Sequence, residues 1–284
     1  MQGAATALRP RIEAGIAMDL GFAGATAVVT GGSKGMGLAI AESLGTEGAS
    51  VAIMARGRAA LDAAAAKIRS AGAPEVLPVE VDMSDPQSII AGFGAVADRW
   101  PSLNALVHTV GPSAGSFDDL DDADWHAAFE LGTMSAVRSI RAALPQLRAA
   151  NWARIVTLSA HSIQRQSPHL VAYTAAKSAL SSVTKNLSKS LGPEGILVNC
   201  VCPGTIVTAS FTEVLKDTLA LDGLDSSDPH DVMRWVEKTF HHPCDLGRAG
   251  LPEEIASVTT YLASRRNGYV TGATVNVDGG SDFI

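Results

Sequence analysis

Cysteine is scarce in this chain, with three residues in 284: Cys200, Cys202 and Cys244. So few thiols build no disulfide framework, and they point to a reducing, cytoplasmic setting. Positive charge is also in short supply. The 22 Lys and Arg stand against 29 Asp and Glu, for a net charge of −7. No basic cluster offsets that balance, which excludes a general nucleic-acid surface. No apolar run reaches the roughly 18 residues a membrane helix needs. Residues 1–20 hold Arg9, Arg11, Glu13 and Asp19 among alanines, which breaks up the apolar core of a secretory signal; a poorly ordered or partly helical extension is expected there. Repeats, linkers and low-complexity stretches are missing too, so residues 21–284 are expected to form one domain. What remains is a globular composition, 46% hydrophobic and 18% charged, long enough to bury a large core.

The most informative stretch is Thr30 to Gly37, T-G-G-S-K-G-M-G. Ala25 to Val29 before it is short, apolar and rich in β-branched residues, and predicts a buried strand. Leu38 to Leu44 after it has apolar residues at helical spacing. Gly31, Gly35 and Gly37 therefore occupy a strand-to-helix turn. Such a turn needs backbone angles that a Cβ forbids, and it lets a pyrophosphate approach bare backbone at the positive end of the following helix. A plain tight turn is the simpler alternative; the strand before and helix after favour the phosphate reading.

Strand-like and helix-like segments go on alternating. Strands are expected at 50–54, 75–81, 105–108, 154–158, 197–202 and 274–277. Helices are expected at 58–70, at 86–100 after the cap-like Ser84-Asp85, at about 125–150 and at about 173–191. This pattern means an α/β fold with right-handed crossovers and a mostly parallel sheet, covered on both faces. Between Thr205 and Arg248 the alternation stops, and apolar residues such as Phe211, Leu215, Trp235 and Phe240 are scattered among turn residues and acids. A long excursion after a strand end reads as a lid or substrate loop at about 205–248.

Tyr173 and Lys177 lie four apart on a predicted helix, one turn from each other on one face. A cation beside a phenol favours the phenolate and is expected to lower its pKa, giving an acid/base usable near neutrality. His241-His242 with Cys244 lacks a fourth ligand pattern and predicts no metal site. Cys200 and Cys202 share a face of a buried strand, as core packing requires. The acids Asp118, Asp119, Asp121, Asp122 and Asp124 read as a solvated run that caps the helix after them.

Taken together, T-G-x-x-x-G-x-G at 30–37, Y-x-x-x-K at 173–177, Asn199 before Pro203-Gly204, and Val277-Asp278-Gly279-Gly280 resemble the short-chain dehydrogenase/reductase family. They do so in order and spacing from about residue 20 onward. The resemblance implies a single-domain Rossmann-like, doubly wound sheet, nicotinamide-dependent interconversion of alcohol and carbonyl, a small-molecule substrate, and a homotetramer or homodimer. It implies that Tyr173 is the acid or base at the carbonyl oxygen and that Lys177 holds the nicotinamide ribose. It further implies cofactor contacts from Gly31, Ser33, Lys34, Gly35, Met36, Gly37, Asp82, Met83, Gly111, Pro203, Gly204 and Ile206. At the end of the second strand this chain has Arg56 where an acid would favour NAD. With Lys34 it can grip a 2′-phosphate, so NADP(H) is expected, with NAD(H) possible.

Three departures stand out. The family's serine on the strand before the tyrosine falls on Ala160; Ser159 is the preferred substitute and Ser162 the alternative. Where the family has N-N-A-G, this chain has His108-Thr109-Val110-Gly111. The asparagine of the long helix is replaced by Gly132, which costs about 1 kcal/mol in a helix and hints at a bulge or a close approach. His108 and His161 read first as strand-end histidines with structural hydrogen bonds. The expected activity is NADPH-dependent reduction of a carbonyl on a mostly apolar small molecule, or its reverse. Reduction of a 3-oxoacyl thioester is the alternative enzyme reading, and an NADP(H)-binding sensor or low-activity paralogue the non-enzymatic one.

Overall fold

The structure, a computed structural model, describes residues 19–281. Apart from Asp19 and Leu20, the expected N-terminal extension lies outside the described residues. Seven strands form one sheet in the order β3-β2-β1-β4-β5-β6-β7. They are β1 (Thr26–Thr30), β2 (Ser50–Ala55), β3 (Val76–Glu80), β4 (Ala105–His108), β5 (Ala153–Leu158), β6 (Ile196–Pro203) and β7 (Thr274–Val277). Every pairing is parallel. Parallel strands buried on both faces read as continuous apolar runs, which is why these segments were legible.

Side chains alternate between the two faces. Ala27, Val29, Val51 and Ile53 pack on one side with α1 (Gly35–Thr46), α2 (Arg58–Ser70) and α9 (Pro252–Ala263). Val28, Ala52 and Met54 pack on the other with α3 (Pro86–Arg99) and α5 (Ser135–Ala149), and with Leu191 at the end of α6 (Val171–Leu191). Helix α9 was not anticipated, although its start is marked by Pro252 in the first turn and by Glu253 and Glu254 beside the helix dipole.

The helix expected over about 125–150 is broken into two. Helix α4 (Asp122–Phe129) begins in a capping box of Asp121 and Asp124. It passes into a π-helical turn at Glu130–Met134 before α5. Gly132 lies in that turn, and a Cβ there would stand 2.7 Å from the Ala176 Cβ and 3.3 Å from the Pro112 ring. The glycine thus marks both a bulge and a close approach to α6.

Residues 205–248 contain α7 (Ala209–Leu221) and α8 (Pro229–Phe240). They form a small core of their own around Leu219, Val232, Met233 and Val236. Strand order reverses between β1 and β4, and a sheet of this kind opens a crevice there, outside the carboxyl ends of the strands. Among the described residues no helix is long and apolar enough to cross a membrane.

Candidate active site

The first side of the crevice is the glycine turn. Gly31 and Gly35 have φ of +73° and +55°, angles that favour glycine. A Cβ at Gly37 would overlap the Gly31 carbonyl, so the turn closes only with bare backbone. Lys34 is the N-cap of α1 and makes no side-chain cap bond. The first amides of α1 therefore have no capping side chain and carry the positive end of the helix dipole. Ser33 is half-buried and Lys34 exposed, while Met36 reaches the central cavity.

Beyond the end of β2, Arg56 is exposed and forms no ion pair among the described residues. Asp82 follows β3, and its carboxylate accepts from the Ser84 amide at 2.9 Å and hydroxyl at 2.7 Å. Those bonds, with a smaller contribution from the Arg56 charge, hold its pKa below the usual range. Met83 is buried and accepts from Ser139 Oγ at 3.8 Å.

The centre of the crevice is built on α6. Lys177 is buried, and its Nζ donates to Leu158 O at 2.7 Å and Val110 O at 3.0 Å. An ammonium has three protons, so one is left for a ligand. Burial lowers the Lys177 pKa to about 8, partly opposed by the Cys200 and Cys202 thiols. A Cβ at Gly111 would stand 3.0 Å from Lys177 Cε and 3.9 Å from Tyr173 Cε2. Gly111 thus lets β4's outgoing loop lie against both side chains. The expected sign of the Tyr173 shift is reversed. Burial raises its pKa to about 12, with a smaller contribution from Cys202, so it stands at neutral pH as a protonated phenol.

Ser159 follows directly on the end of β5. Its Oγ borders the cavity but donates to Lys177 O at 2.9 Å, so its proton is engaged. Ala160 lines the cavity without any polar group. Ser162 is buried at the same wall and accepts from Thr174 Oγ1 at 3.2 Å, which leaves its own proton uncommitted. His161 Nδ1 bonds Pro203 O at 3.2 Å. Pro203, Gly204 and Ile206 border the same cavity. A Cβ at Gly204 would come within 2.7 Å of Asp278 Cα, so close passage of the backbone explains that glycine.

His108 is fully buried at the end of β4, where its Nδ1 meets Thr30 Oγ1 at 2.9 Å and its Nε2 meets Ser135 Oγ at 3.0 Å. Ser135 Oγ donates to Leu131 O at 2.7 Å, so it accepts from Nε2–H, and Thr30 donates to Nδ1. The imidazole ties β1 and β4 to the first turn of α5, a structural role consistent with its burial-lowered pKa of about 3.

These elements enclose a cavity of about 550 Å³, bordered by Tyr173, His161 and Ser162 at one end and by Phe211, Leu215, Trp235 and Phe240 of the 205–248 segment elsewhere. Cys244 ties the far end of that segment down, its Sγ bonding Gly279 O at 3.0 Å. Tyr173 thus presents a protonated phenol to one apolar chamber, with the buried Lys177 one turn further along α6 and Met36 of the glycine turn at the chamber's border.

Comparison with known proteins agrees with this geometry. A family model described as enoyl-(acyl carrier protein) reductase matches residues 31–282. A dehydrogenase/reductase SDR family member 4 of Caenorhabditis elegans is 30% identical over 263 residues, covering 91% of this chain and 95% of the relative. A 3-oxoacyl-[acyl-carrier-protein] reductase of Aquifex aeolicus is 28% identical, covering 93% of this chain and 99% of the relative. The crystal structure of L-sorbose reductase from Gluconobacter frateurii, complexed with NADPH and L-sorbose, superposes with a TM-score of 0.86 at 31% identity, over 93% of this chain and 98% of that one. With matching motifs, strand order and matches along most of its length, the chain belongs to the short-chain dehydrogenase/reductase family, as an oxidoreductase acting on alcohol and carbonyl groups.

Proposed function

We propose that this chain is an NADP(H)-dependent ketoreductase, reversible as an alcohol dehydrogenase, on a mostly apolar small molecule. The observation that carries this reading is the Tyr173 phenol bordering one largely apolar chamber, with the buried Lys177 side chain packed beside Gly111 next to the same ring. The residues present fit a dinucleotide phosphate. Gly31, Ser33, Lys34, Gly35, Met36 and Gly37 would hold the diphosphate at the start of α1, and Arg56 with Lys34 would take the 2′-phosphate. Asp82 and Met83 would border the adenine, and Gly111, Pro203, Gly204 and Ile206 the nicotinamide. When bound, the cofactor supplies the hydride.

The protein handles the proton. Tyr173 donates its phenolic proton to the carbonyl oxygen, and the Lys177 charge beside it stabilises the phenolate left behind. Ser162, whose proton is uncommitted, supports the same oxygen in this reading, in place of Ser159. The 205–248 segment acts as the lid over the substrate. A cytoplasmic setting is supported by three free, buried cysteines, and a homodimer or homotetramer by family membership.

The test is loss of NADPH absorbance with a panel of ketones. Tyr173→Phe is expected to cut kcat at least about a thousandfold while NADPH still binds. Binding without turnover by the wild-type protein favours a sensor instead. Reduction of 3-oxoacyl thioesters is the second reading, favoured by the Aquifex relative; a panel led by acetoacetyl thioesters over free ketones would support it.

A further inference from the structure

His161 is a polar group of the cavity that the reaction above leaves unused. It follows Ala160 directly, so it stands one residue beyond the slot from which the family addresses the reacting oxygen. Its side chain is half-buried and lines the same chamber as Tyr173 and Ser162. The geometry settles its tautomer. Nδ1 meets the Pro203 carbonyl at 3.2 Å, and a carbonyl oxygen only accepts, so the proton is on Nδ1. Burial also holds its pKa below the ordinary value of 6.5, outweighing the pull of Pro203 O and Asp278, with Arg165 acting in the same direction as burial. The ring is therefore neutral and its Nε2 is a bare lone pair, which makes no hydrogen bond among the described residues.

Such a lone pair cannot serve the carbonyl oxygen, which is itself an acceptor and already receives the Tyr173 proton. It calls for a donor on the substrate, near the carbonyl but not part of it. His242, from the loop after α8, faces His161 edge to face with ring centroids 6.4 Å apart. The two imidazoles stand together in a chamber whose wall also holds Phe211, Leu215, Trp235 and Phe240, with Ser167, His169 and Thr208 as further polar residues. We propose that His161 is a specificity-determining residue whose Nε2 accepts a hydrogen bond from a hydroxyl on the carbon next to the reducible carbonyl, so that the preferred substrate is an α-hydroxy ketone with an apolar remainder. This rests on the ketoreductase reading and narrows it. It also separates the chain from a 3-oxoacyl reductase, because the carbons flanking a 3-oxo group carry no hydroxyl.

The experiment uses matched pairs that differ in the one hydroxyl: acetoin against butanone, and benzoin against deoxybenzoin, with NADPH oxidation as the readout. The wild-type protein is expected to favour the hydroxy ketone by at least about tenfold in kcat/KM, since a site built to bond a hydroxyl rejects the analogue that lacks it. Benzoin methyl ether, which keeps the oxygen but has no proton to give, is expected to rank with deoxybenzoin. His161→Phe is expected to bring the ratio to about one, whatever it does to the absolute rates, and His161→Gln, which retains an acceptor, to restore part of it. Equal rates on both members of each pair in the wild-type protein, or an unchanged ratio in His161→Phe, would overturn the role of His161 and leave the ketoreductase reading standing. Oxidation of NADPH with no member of either pair, by protein that binds NADPH, would overturn both.

Discussion

Two titrating groups one turn apart on α6 are pushed in directions that sequence spacing alone did not foretell. A cation near a phenol suggests a lowered tyrosine pKa, yet burial of Tyr173 raises it to about 12, and burial of Lys177 lowers it to about 8. Desolvation penalises the charged form of each, so at neutral pH the phenol keeps its proton and the lysine is still mostly charged. The alkaline limit of ketone reduction then belongs to Lys177. The kcat/KM for NADPH, which reports groups of the free enzyme, is expected to be level up to about pH 7.5. It should fall above about pH 8 as the ammonium is lost, with a slope approaching tenfold per unit. Lys177→Arg, which stays protonated throughout, should carry whatever activity it retains to higher pH without that fall. A wild-type profile level to pH 10 would show that the lysine charge is dispensable. Burial was the missing quantity in the sequence: it depends on how β4, β5 and α6 meet, and four-residue spacing says nothing of it. The hydrogen bond from Ser159 was hidden for a related reason, since the Lys177 carbonyl that takes its proton is a neighbour only once α6 is laid against β5.

Among the elements, the strands and helices α2, α3 and α6 were legible to within one or two residues, because buried parallel strands are continuous apolar runs and these helices carry a helical period. What the periodicity hid was the break between α4 and α5. Gly132 hinted at it, but the reason lies across the packing interface, where Ala176 on α6 and Pro112 crowd the site a side chain would need. Gly132→Asn, which restores the family's residue type, is therefore expected to destabilise rather than repair. Overpacking of this kind costs about 1–3 kcal/mol, which corresponds to a Tm lower by roughly 2–10 °C in a chain of this size. Ala176→Gly removes the Cβ that would stand 2.7 Å away, at about 1 kcal/mol of helix propensity. If the clash is the cause, the double variant will be more stable than the sum of the two single effects by about 1 kcal/mol or more. Additive melting shifts would place the cost elsewhere. The helices of the 205–248 segment showed in the sequence only as an interruption of the α/β rhythm, since α7 and α8 bury their apolar residues mainly against each other.

For the molecule as a whole, the reversal of strand order between β1 and β4 gathers the glycine turn, Arg56, Asp82 and α6 at one crest, although 147 residues separate the start of the turn at Thr30 from Lys177. This crest belongs to a chain with a net charge of −7, and a phosphorylated dinucleotide is itself strongly anionic, its 2′-phosphate alone adding about −1.5 to −2. General attraction cannot gather such a ligand, so local cations must. Lys34 and Arg56 are exposed at the crest, and Arg56 has no ion-pair partner among the described residues. Exposed charges act over about 10 Å at 0.1 M salt and much less at 1 M. NADPH affinity is therefore expected to weaken as salt is raised over that range, and NADH affinity to weaken much less. Arg56→Ala should cost NADPH binding about tenfold to a hundredfold, in line with loss of a charge-assisted, forked contact, with NADH binding changed by less than threefold. In Lys34→Ala with Arg56→Ala, the two cofactors should converge in affinity and in salt dependence, measured by fluorescence titration. A double variant that still prefers NADPH would mean that the 2′-phosphate is read by other residues, and Arg56 would revert to an ordinary solvated side chain.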